Sequence, residues 1–186
     1  MPLLHRVLER ISEEERWTLL DLGPALPGSL GFLGRFRCRL TVADALDELA
    51  ALGRQEDPDP DELAVELARL LPDPGGEPWD LVLCWDLVNY LSRPVLSGLM
   101  GHIGPRLQPG ALVHLLVESS RPRMPPSPGR YELEEGDRLR RLGPMEPPVA
   151  SPRYSHADFA RCWPACSSQK SLLLKSGVQE YLFRYR

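Results

Sequence analysis

The sequence predicts an α/β fold in which helices cover both faces of a mostly parallel sheet and the chain ends in an antiparallel hairpin. A short apolar run, residues 17–20, ends at Asp21 and meets a turn rich in Gly and Pro, which is typical of a buried strand that ends at a loop. A second apolar run, residues 81–85, lies between two aspartates, as expected for a strand buried on both faces of a parallel sheet. Two alternating runs within 168–185 surround a short turn and predict the hairpin.

Length and composition fit one domain, residues 1–186, by the rough prior of about 150 residues per domain. The apolar content is 42% and the net charge is −4, so neither sign of charge dominates and nothing in the composition favours a nucleic-acid partner. No apolar run reaches the roughly 20 residues of a membrane span, and the charged residues within 5–10 argue against a signal peptide. We therefore expect a soluble protein with no membrane partner.

The four cysteines favour a reducing compartment. Cys38, Cys84, Cys162 and Cys166 are scattered without the paired framework of a disulfide-rich protein, so reduced thiols in the cytoplasm are expected. His156 together with the last two cysteines offers three potential zinc ligands, but a three-residue gap with no matching second pair is a poor zinc pattern. The sequence therefore predicts no metal site.

The first half of the chain alternates helices and strands. Apolar residues at three- and four-residue spacing predict a helix over 3–11, and a helix weakened by glycines is expected over 29–36. Alternation predicts a second strand over 39–42. After an acidic loop, Asp61 is expected to cap an amphipathic helix. The third strand that such a fold needs is either compressed into 69–72 or missing.

The second half of the chain repeats the order of strand, loop, helix and strand. The apolar strand that ends near Asp86 leads to a helix from Pro94 to about Leu107. A turn over 108–110 closes this helix, and the next strand is expected over 111–117. A serine-capped helix over 155–163 then precedes the hairpin.

Residues 118–154 differ in composition from the rest of the chain. Prolines recur there among many arginines, and several acids interrupt the basic character. The segment is too long for an ordinary connection, so a lid or a partner-binding insertion within the domain is expected. A solvated loop is the plainer alternative.

The turn after the first strand holds the first candidate site. A side chain there would keep a ligand away from the backbone N–H groups, and Gly23 has none. Together with Asp21 it resembles the first motif of the class I S-adenosylmethionine-dependent methyltransferases, an acid followed by Gly-x-Gly-x-Gly. In that motif Ala25 stands at the second glycine and Pro27 at the third, with Gly28 one position late.

Two further stretches carry the resemblance. Asp44 lies about twenty residues beyond the glycine turn, where the family has an acid that accepts both ribose hydroxyl hydrogens. A helix N-cap is the alternative role for this residue. The strand, loop, helix and Pro-Gly turn that contain Arg106 are similar to the family's fourth and fifth strands, and the family also ends in a reversed strand pair.

The resemblance implies a Rossmann-like fold with S-adenosylmethionine as cofactor. The cofactor-binding residues that it implies are Asp21, Gly23, Ala25, Asp44, Cys84 and Trp85. Asp86 is the implied base toward a poorly nucleophilic acceptor, or a partner of the cofactor's amino group, and a helix cap is its alternative role. Asn89 and Tyr90 would lie where the acceptor approaches, although Tyr90 could equally be a wall of the pocket.

Two classes of function stay open. The first is an S-adenosylmethionine-dependent methyltransferase that acts on a small-molecule or protein acceptor. The second is a methyltransferase-like protein that has lost or weakened catalysis and acts through binding, with 118–154 as its surface. The departures from the glycine motif favour the second, and the three acids favour the first. The enzyme requires Gly23 and Asp44 to open into one crevice with room for an adenosyl group.

Overall fold

A six-stranded sheet runs through the centre of the molecule. The computed structural model describes residues 1–11, 16–73, 75–134, 138–143 and 146–186. Its helices are α1 (Pro2–Ile11), α2 (Pro27–Leu33), α3 (Leu46–Leu52), α4 (Pro60–Leu70), α5 (Arg93–Ile103) and α6 (His156–Cys162). Its strands are β1 (Trp17–Asp21), β2 (Cys38–Val42), β3 (Trp79–Leu83), β4 (Leu107–Val117), β5 (Arg123–Met124), β6 (Arg130–Leu133), β7 (Leu139–Leu142), β8 (Val149–Ala150), β9 (Cys166–Leu173) and β10 (Gln179–Tyr185). Two short 3-10 helices are Leu87–Tyr90 and Gly104–Arg106.

The strand order of the sheet is β2-β1-β3-β4-β10-β9. β1 pairs in parallel with β2 and β3, and β3 pairs in parallel with β4. β10 is antiparallel to both of its neighbours, β4 and β9. The predicted α/β fold with a C-terminal antiparallel hairpin is therefore confirmed.

Helices cover both faces of this sheet. Side chains alternate along a strand, so in β1 Leu19 and Leu20 belong to separate apolar clusters on opposite faces. The first cluster includes α3, α4, α5 and α6, and the second includes α1 and α2. The apolar stripe of α1 is fully used, because Leu3, Leu4, Val7, Leu8 and Ile11 are all buried. Burial of each such side chain stabilises the fold by about 1.5–3 kcal/mol.

The sheet has no strand beyond β2. Residues 69–72 form the end of α4 and the turn after it, so the first of the two alternatives for the third strand, compression into 69–72, is wrong. Along the described chain, no strand lies between β2 and β3. α4 packs against α5 instead, where a Cβ at Gly98 would lie 2.6 Å from Leu63 Cδ2. The helix cap was also predicted wrongly, since the side chain of Asp59, and not that of Asp61, accepts the first free backbone N–H groups.

The turn predicted at 108–110 lies inside β4. The helix before it already ends at Ile103, and the pairing of β3 with β4 shifts register between Trp79 and Leu81. Gly110 has a φ of 87°, a conformation that other residues rarely adopt. The Pro-Gly sequence therefore makes an irregularity within one long strand and does not mark the strand's start.

The segment 118–154 forms two small antiparallel ladders, β5 with β8 and β6 with β7. We call residues 129–134 and 138–143 the strap. The strap reaches across the C-terminal edge of the sheet, because the side chain of Glu132 in β6 contacts the first turn of α2. Part of the predicted insertion thus lies against the candidate site.

Candidate functional site

Three strands of the sheet end side by side at the candidate site. The backbone N–H of Ala43, after β2, donates to Asp21 O at 2.8 Å, and that of Leu22, after β1, donates to Leu83 O at 3.1 Å. Asp21, Gly23, Asp44 and the residues from Cys84 to Asp86 therefore share one edge, where ligands bind in open α/β sheets. Ala25 lies farther along the loop and is exposed.

The carboxylate of Asp21 organises the glycine turn. Its Oδ1 accepts the backbone N–H of Gly23 at 2.8 Å and the indole Nε1–H of Trp85 at 2.5 Å. Burial raises the pKa of Asp21 from 3.8 to about 6, although the bonds from Trp85 and Gly23 lower it in part. Asp21 is thus a buried acid whose negative charge is stabilised by hydrogen bonds from two neutral donors.

The indole of Trp85 covers the glycine turn. A Cβ at Gly23 would lie 2.7 Å from Trp85 Nε1. The space that the missing side chain leaves beside Gly23 is therefore occupied by the indole of Trp85. Trp85 is buried and has a φ of 51°, and Tyr131 of the strap stacks on it with ring centroids 5.8 Å apart at 21°. Aromatic rings therefore fill the space in which the sequence predicted an open crevice beside Gly23.

Asp86 is the second buried acid of the site. Its two carboxylate oxygens accept the N–H of Gly129 at 2.9 and 3.1 Å, and Oδ2 also accepts the hydroxyl of Tyr131 at 2.8 Å. Burial raises the pKa of Asp86 to about 6, against the lowering effects of Tyr131, Gly129 and the positive charge of Arg141. Asp86 makes no side-chain cap hydrogen bond to the following 3-10 helix, so its alternative role as a cap is wrong.

The strap also closes over the start of α2. Glu132 Oε1 accepts the backbone N–H of Gly28 at 2.9 Å, and Ser29 Oγ donates to Tyr131 O at 3.2 Å and accepts the N–H of Leu133 at 3.1 Å. The other oxygen of Glu132 pairs with Arg140. Arg140 and the Gly28 N–H lower the pKa of Glu132, although burial opposes them. No sequence signal singled out Tyr131 or Glu132 within the segment 118–154.

Asp44 stands at the lip of this site. It is exposed, has a φ of 49° and makes no hydrogen bond to any residue that the structure describes. The N-cap of α3 is Ala45, which has no side-chain cap bond, so the alternative role of Asp44 as a helix cap is wrong. Its carboxylate is free to accept hydrogen bonds from a ligand.

Asn89 and Tyr90 line a cleft of about 810 Å³ between α3 and the segment 118–154. The Asn89 amide donates to Asp86 O at 2.8 Å and to Leu116 O at 2.9 Å, and Asn89 Oδ1 accepts the N–H of Glu118 at 2.9 Å. Asn89 therefore ties the loop after β3 to the end of β4. The hydroxyl of Tyr90 donates to Pro125 O at 3.1 Å, so Tyr90 forms a wall between the cleft and the insertion.

A buried histidine–carboxylate contact that the sequence did not indicate lies beneath the site. Glu180 in β10 accepts His114 Nε2–H at 3.0 Å, and its carboxylate also accepts the first backbone N–H groups of α1, from Leu3 at 3.2 Å and Leu4 at 3.0 Å. Both side chains of the pair are fully buried. This carboxylate fixes the start of α1 on the sheet.

Within the described ranges, no group of three or more potential metal ligands occurs. Over the same part of the chain, no helix has the length and apolar character to cross a membrane.

Comparison with solved structures identifies the fold, although no protein-family model and no curated protein matches the sequence. The 1,6-didemethyltoxoflavin-N1-methyltransferase of Burkholderia thailandensis, crystallised with S-adenosylhomocysteine, is 16% identical, with a TM-score of 0.54 over 99% of this chain and 75% of the other. The N-methyltransferase NodS of Bradyrhizobium japonicum, also crystallised with S-adenosylhomocysteine, is 15% identical, with a TM-score of 0.51 over 99% and 86%.

A third similar structure is an S-adenosylmethionine-dependent methyltransferase from Clostridium acetobutylicum, 11% identical, with a TM-score of 0.51 over 98% of this chain and 89% of the other. At these identities the similarity establishes the fold. The expected class I methyltransferase fold is therefore confirmed.

Proposed function

We propose that the chain is an S-adenosylmethionine-dependent methyltransferase that binds its cofactor where β1, β2 and β3 end. One observation carries this proposal. Asp21 and Asp86 are buried on either side of Trp85, and among the described residues neither takes part in an ion pair. Burial raises the pKa of Asp86 and Arg141 lowers it in part without forming an ion pair with the carboxylate, whereas the pKa of Asp21 is shifted by burial and by two neutral donors, with no cation among these causes. Buried carboxylates without a paired cation are costly, so the site favours a ligand that brings positive charge. S-adenosylmethionine carries both an ammonium and a sulfonium group.

The residues fit this cofactor in their chemistry. Asp21 and the Gly23 backbone would hold the amino-acid end, and Asp44 would accept the ribose hydroxyls, with Cys84 and Trp85 as neighbouring walls and Ala25 on the loop. The space does not fit while Trp85 and Tyr131 are stacked over the glycine turn. Cofactor binding therefore requires a rearrangement of these two rings.

Asp86 is the candidate general base. When bound, the cofactor supplies an electrophilic methyl group, and the protein must orient the acceptor and, for a weak nucleophile, remove its proton. A carboxylate with a pKa of about 6 is largely ionised near neutral pH and is a stronger base than an ordinary aspartate. Asn89 holds the backbone of this residue in place through Asp86 O.

The second candidate is a methyltransferase-like protein that acts through binding alone. The filled space over Gly23 favours it, since the strap supplies both a ring and a carboxylate to the site. In that case the strap contacts are permanent parts of the fold.

Calorimetric titration with S-adenosylhomocysteine separates the two candidates. The enzyme predicts a Kd in the micromolar range and an Asp44→Ala variant that binds about 10- to 150-fold more weakly, since a charge-assisted hydrogen bond of this kind is worth about 1.5–3 kcal/mol. The matched control is Asp57→Asn, an exposed carboxylate in the loop after α3, which should bind like the parent. If neither the parent nor a Tyr131→Ala variant, which lacks the ring stacked on Trp85, gives heat or a thermal shift at millimolar ligand, the enzyme is contradicted and the binding protein is left.

A further inference from the structure

We propose that the strap is an autoinhibitory element that occupies the cofactor site and that S-adenosylmethionine binds only when the strap leaves it. The inference rests on the proposed function. It concerns regulation of that same site, through contacts that this chain makes with itself.

Three strap contacts fall on groups within the proposed site or directly beside it. The Tyr131 ring stacks on Trp85 above Gly23, and the Tyr131 hydroxyl satisfies Asp86. The carboxylate of Glu132 takes the Gly28 N–H in the loop that follows the glycine turn. The strap thus provides a planar ring and an anion to a site proposed for a ligand that also has a ring system and a carboxylate. Strap and cofactor cannot occupy this space together.

The strap is held by hydrogen bonds and by apolar packing. Its hydrogen bonds join Gly129 to Asp86 and Leu133 to Ser29. Leu133 is also a buried member of the second apolar cluster, with Tyr131 and Leu139 packed against it. Its outer side is held by exposed charge pairs, such as Arg130 with Asp47, and such pairs contribute little to stability. Release of the strap would break these polar contacts and withdraw Leu133, Tyr131 and Leu139 from the second apolar cluster, while the first cluster would stay intact.

Competition of this kind makes a quantitative prediction. The apparent Kd of a ligand rises by the factor by which the binding-competent state is depopulated. Weakening the strap must therefore tighten cofactor binding, whereas loss of a true binding residue would weaken it. A lower Kd after substitution of Tyr131 and Glu132 therefore identifies them as competitors of the cofactor, and a higher Kd identifies them as cofactor-binding residues.

The first experiment measures binding of S-adenosylhomocysteine to a Tyr131→Ala/Glu132→Ala double variant by calorimetry. We expect a Kd lower than that of the parent by about tenfold or more. The matched control is Arg69→Ala in α4, whose side chain forms an exposed pair with Glu66 outside the strap, and this variant should bind like the parent. Circular dichroism checks that each variant is folded.

The second experiment uses hydrogen exchange on the unaltered chain. The N–H groups of Gly129 and Leu133 are hydrogen-bonded in the docked strap. Ligands usually slow hydrogen exchange in the segments that they contact. Saturation with S-adenosylhomocysteine should instead speed exchange in peptides that cover 129–142, because the strap is released. Unchanged or slower exchange there would overturn the inference.

A cross-link gives a test that does not depend on loss of contacts. A Cβ at Gly28 would lie 2.6 Å from Glu132 Cγ, so a disulfide in Gly28→Cys/Glu132→Cys would lock the strap in place. The oxidised form should lose S-adenosylhomocysteine binding, and reduction should restore it. Equal binding by the two forms would overturn the inference.

The outcomes distinguish failure of the inference from failure of the proposed function. If the parent and the double variant bind with equal Kd, the strap does not compete and the proposed function stands. If the parent, the double variant and the reduced cross-link variant all fail to bind, the proposed function falls and the inference falls with it.

Discussion

Replacement of Asp86 by Asn should stabilise the fold while it removes the candidate base. The amide has the shape of the carboxylate, so its oxygen can keep the bond from the Gly129 N–H and its NH₂ group can donate to the Tyr131 hydroxyl. What the substitution removes is a buried negative charge that has no ion-pair partner among the described residues.

The size of the effect follows from the pKa of Asp86. Burial raises this pKa from 3.8 in the unfolded chain to about 6, so the folded state binds the proton more tightly. The stability that this group contributes is therefore full below pH 4 and is lost as the pH rises through about 6. A difference of two pKa units at about 1.4 kcal/mol per unit gives a penalty of about 3 kcal/mol at neutral pH.

Urea unfolding followed by circular dichroism at several pH values measures this penalty. At pH 8 the free energy of unfolding of Asp86→Asn should exceed that of the parent by about 1–3 kcal/mol, which corresponds to a rise of several degrees in Tm. Near pH 4 the two free energies should be equal. Asp57→Asn, an exposed control, should change neither value. A variant that is less stable at pH 8, or a gap that does not close on acidification, would refute the reasoning.

Two further substitutions test groups with the opposite role. Glu180→Gln should lower the free energy of unfolding at pH 7 by about 1–3 kcal/mol, because the carboxylate accepts three buried donors. Burial alone would raise the pKa of Glu180, but the hydrogen bonds from His114 and from the start of α1 outweigh it, so the pKa is lowered. The stabilisation by the carboxylate is therefore lost as the pH falls below about 4.5. In urea unfolding, the difference in free energy between parent and variant should shrink over that range. Asn89→Ala should cost about 2–4 kcal/mol in the same assay, since three buried backbone groups lose their partner; a cost below 1 kcal/mol would show that water replaces the amide.

Most elements could be predicted because their signals are local. The apolar spacing in α1 and the acid-flanked run of β3 each depend on a dozen residues or fewer, and burial patterns in the fold follow them. The errors occurred where local signals compete. Asp59 and Asp61 are both good caps, and which of them caps α4 is set by where the chain turns. Gly110 marks a turn in sequence but an irregularity within β4 in the fold.

It was harder to predict from the sequence which residues contact one another in the candidate site. Asp21, Gly23 and Asp44 follow strands, so their shared edge is a consequence of parallel topology. Tyr131 and Glu132 lie about a hundred positions beyond the glycine turn, in a segment without periodicity, and only tertiary packing brings them to Trp85 and Gly28. A polar residue in an irregular segment carries no signal for the partner it will meet.

The absence of a strand beyond β2 leaves one margin of the sheet without a neighbour in the described chain. The unpaired N–H and C=O groups of an edge strand can pair with the backbone of another polypeptide, and edge strands that are short and positively charged commonly prevent this. β2 has five residues, Arg37 precedes it on the surface, and Arg39 within it is held by Glu77. The short length of β2 and the exposed charge of Arg37 therefore make this margin a poor template for pairing with a second copy of the chain.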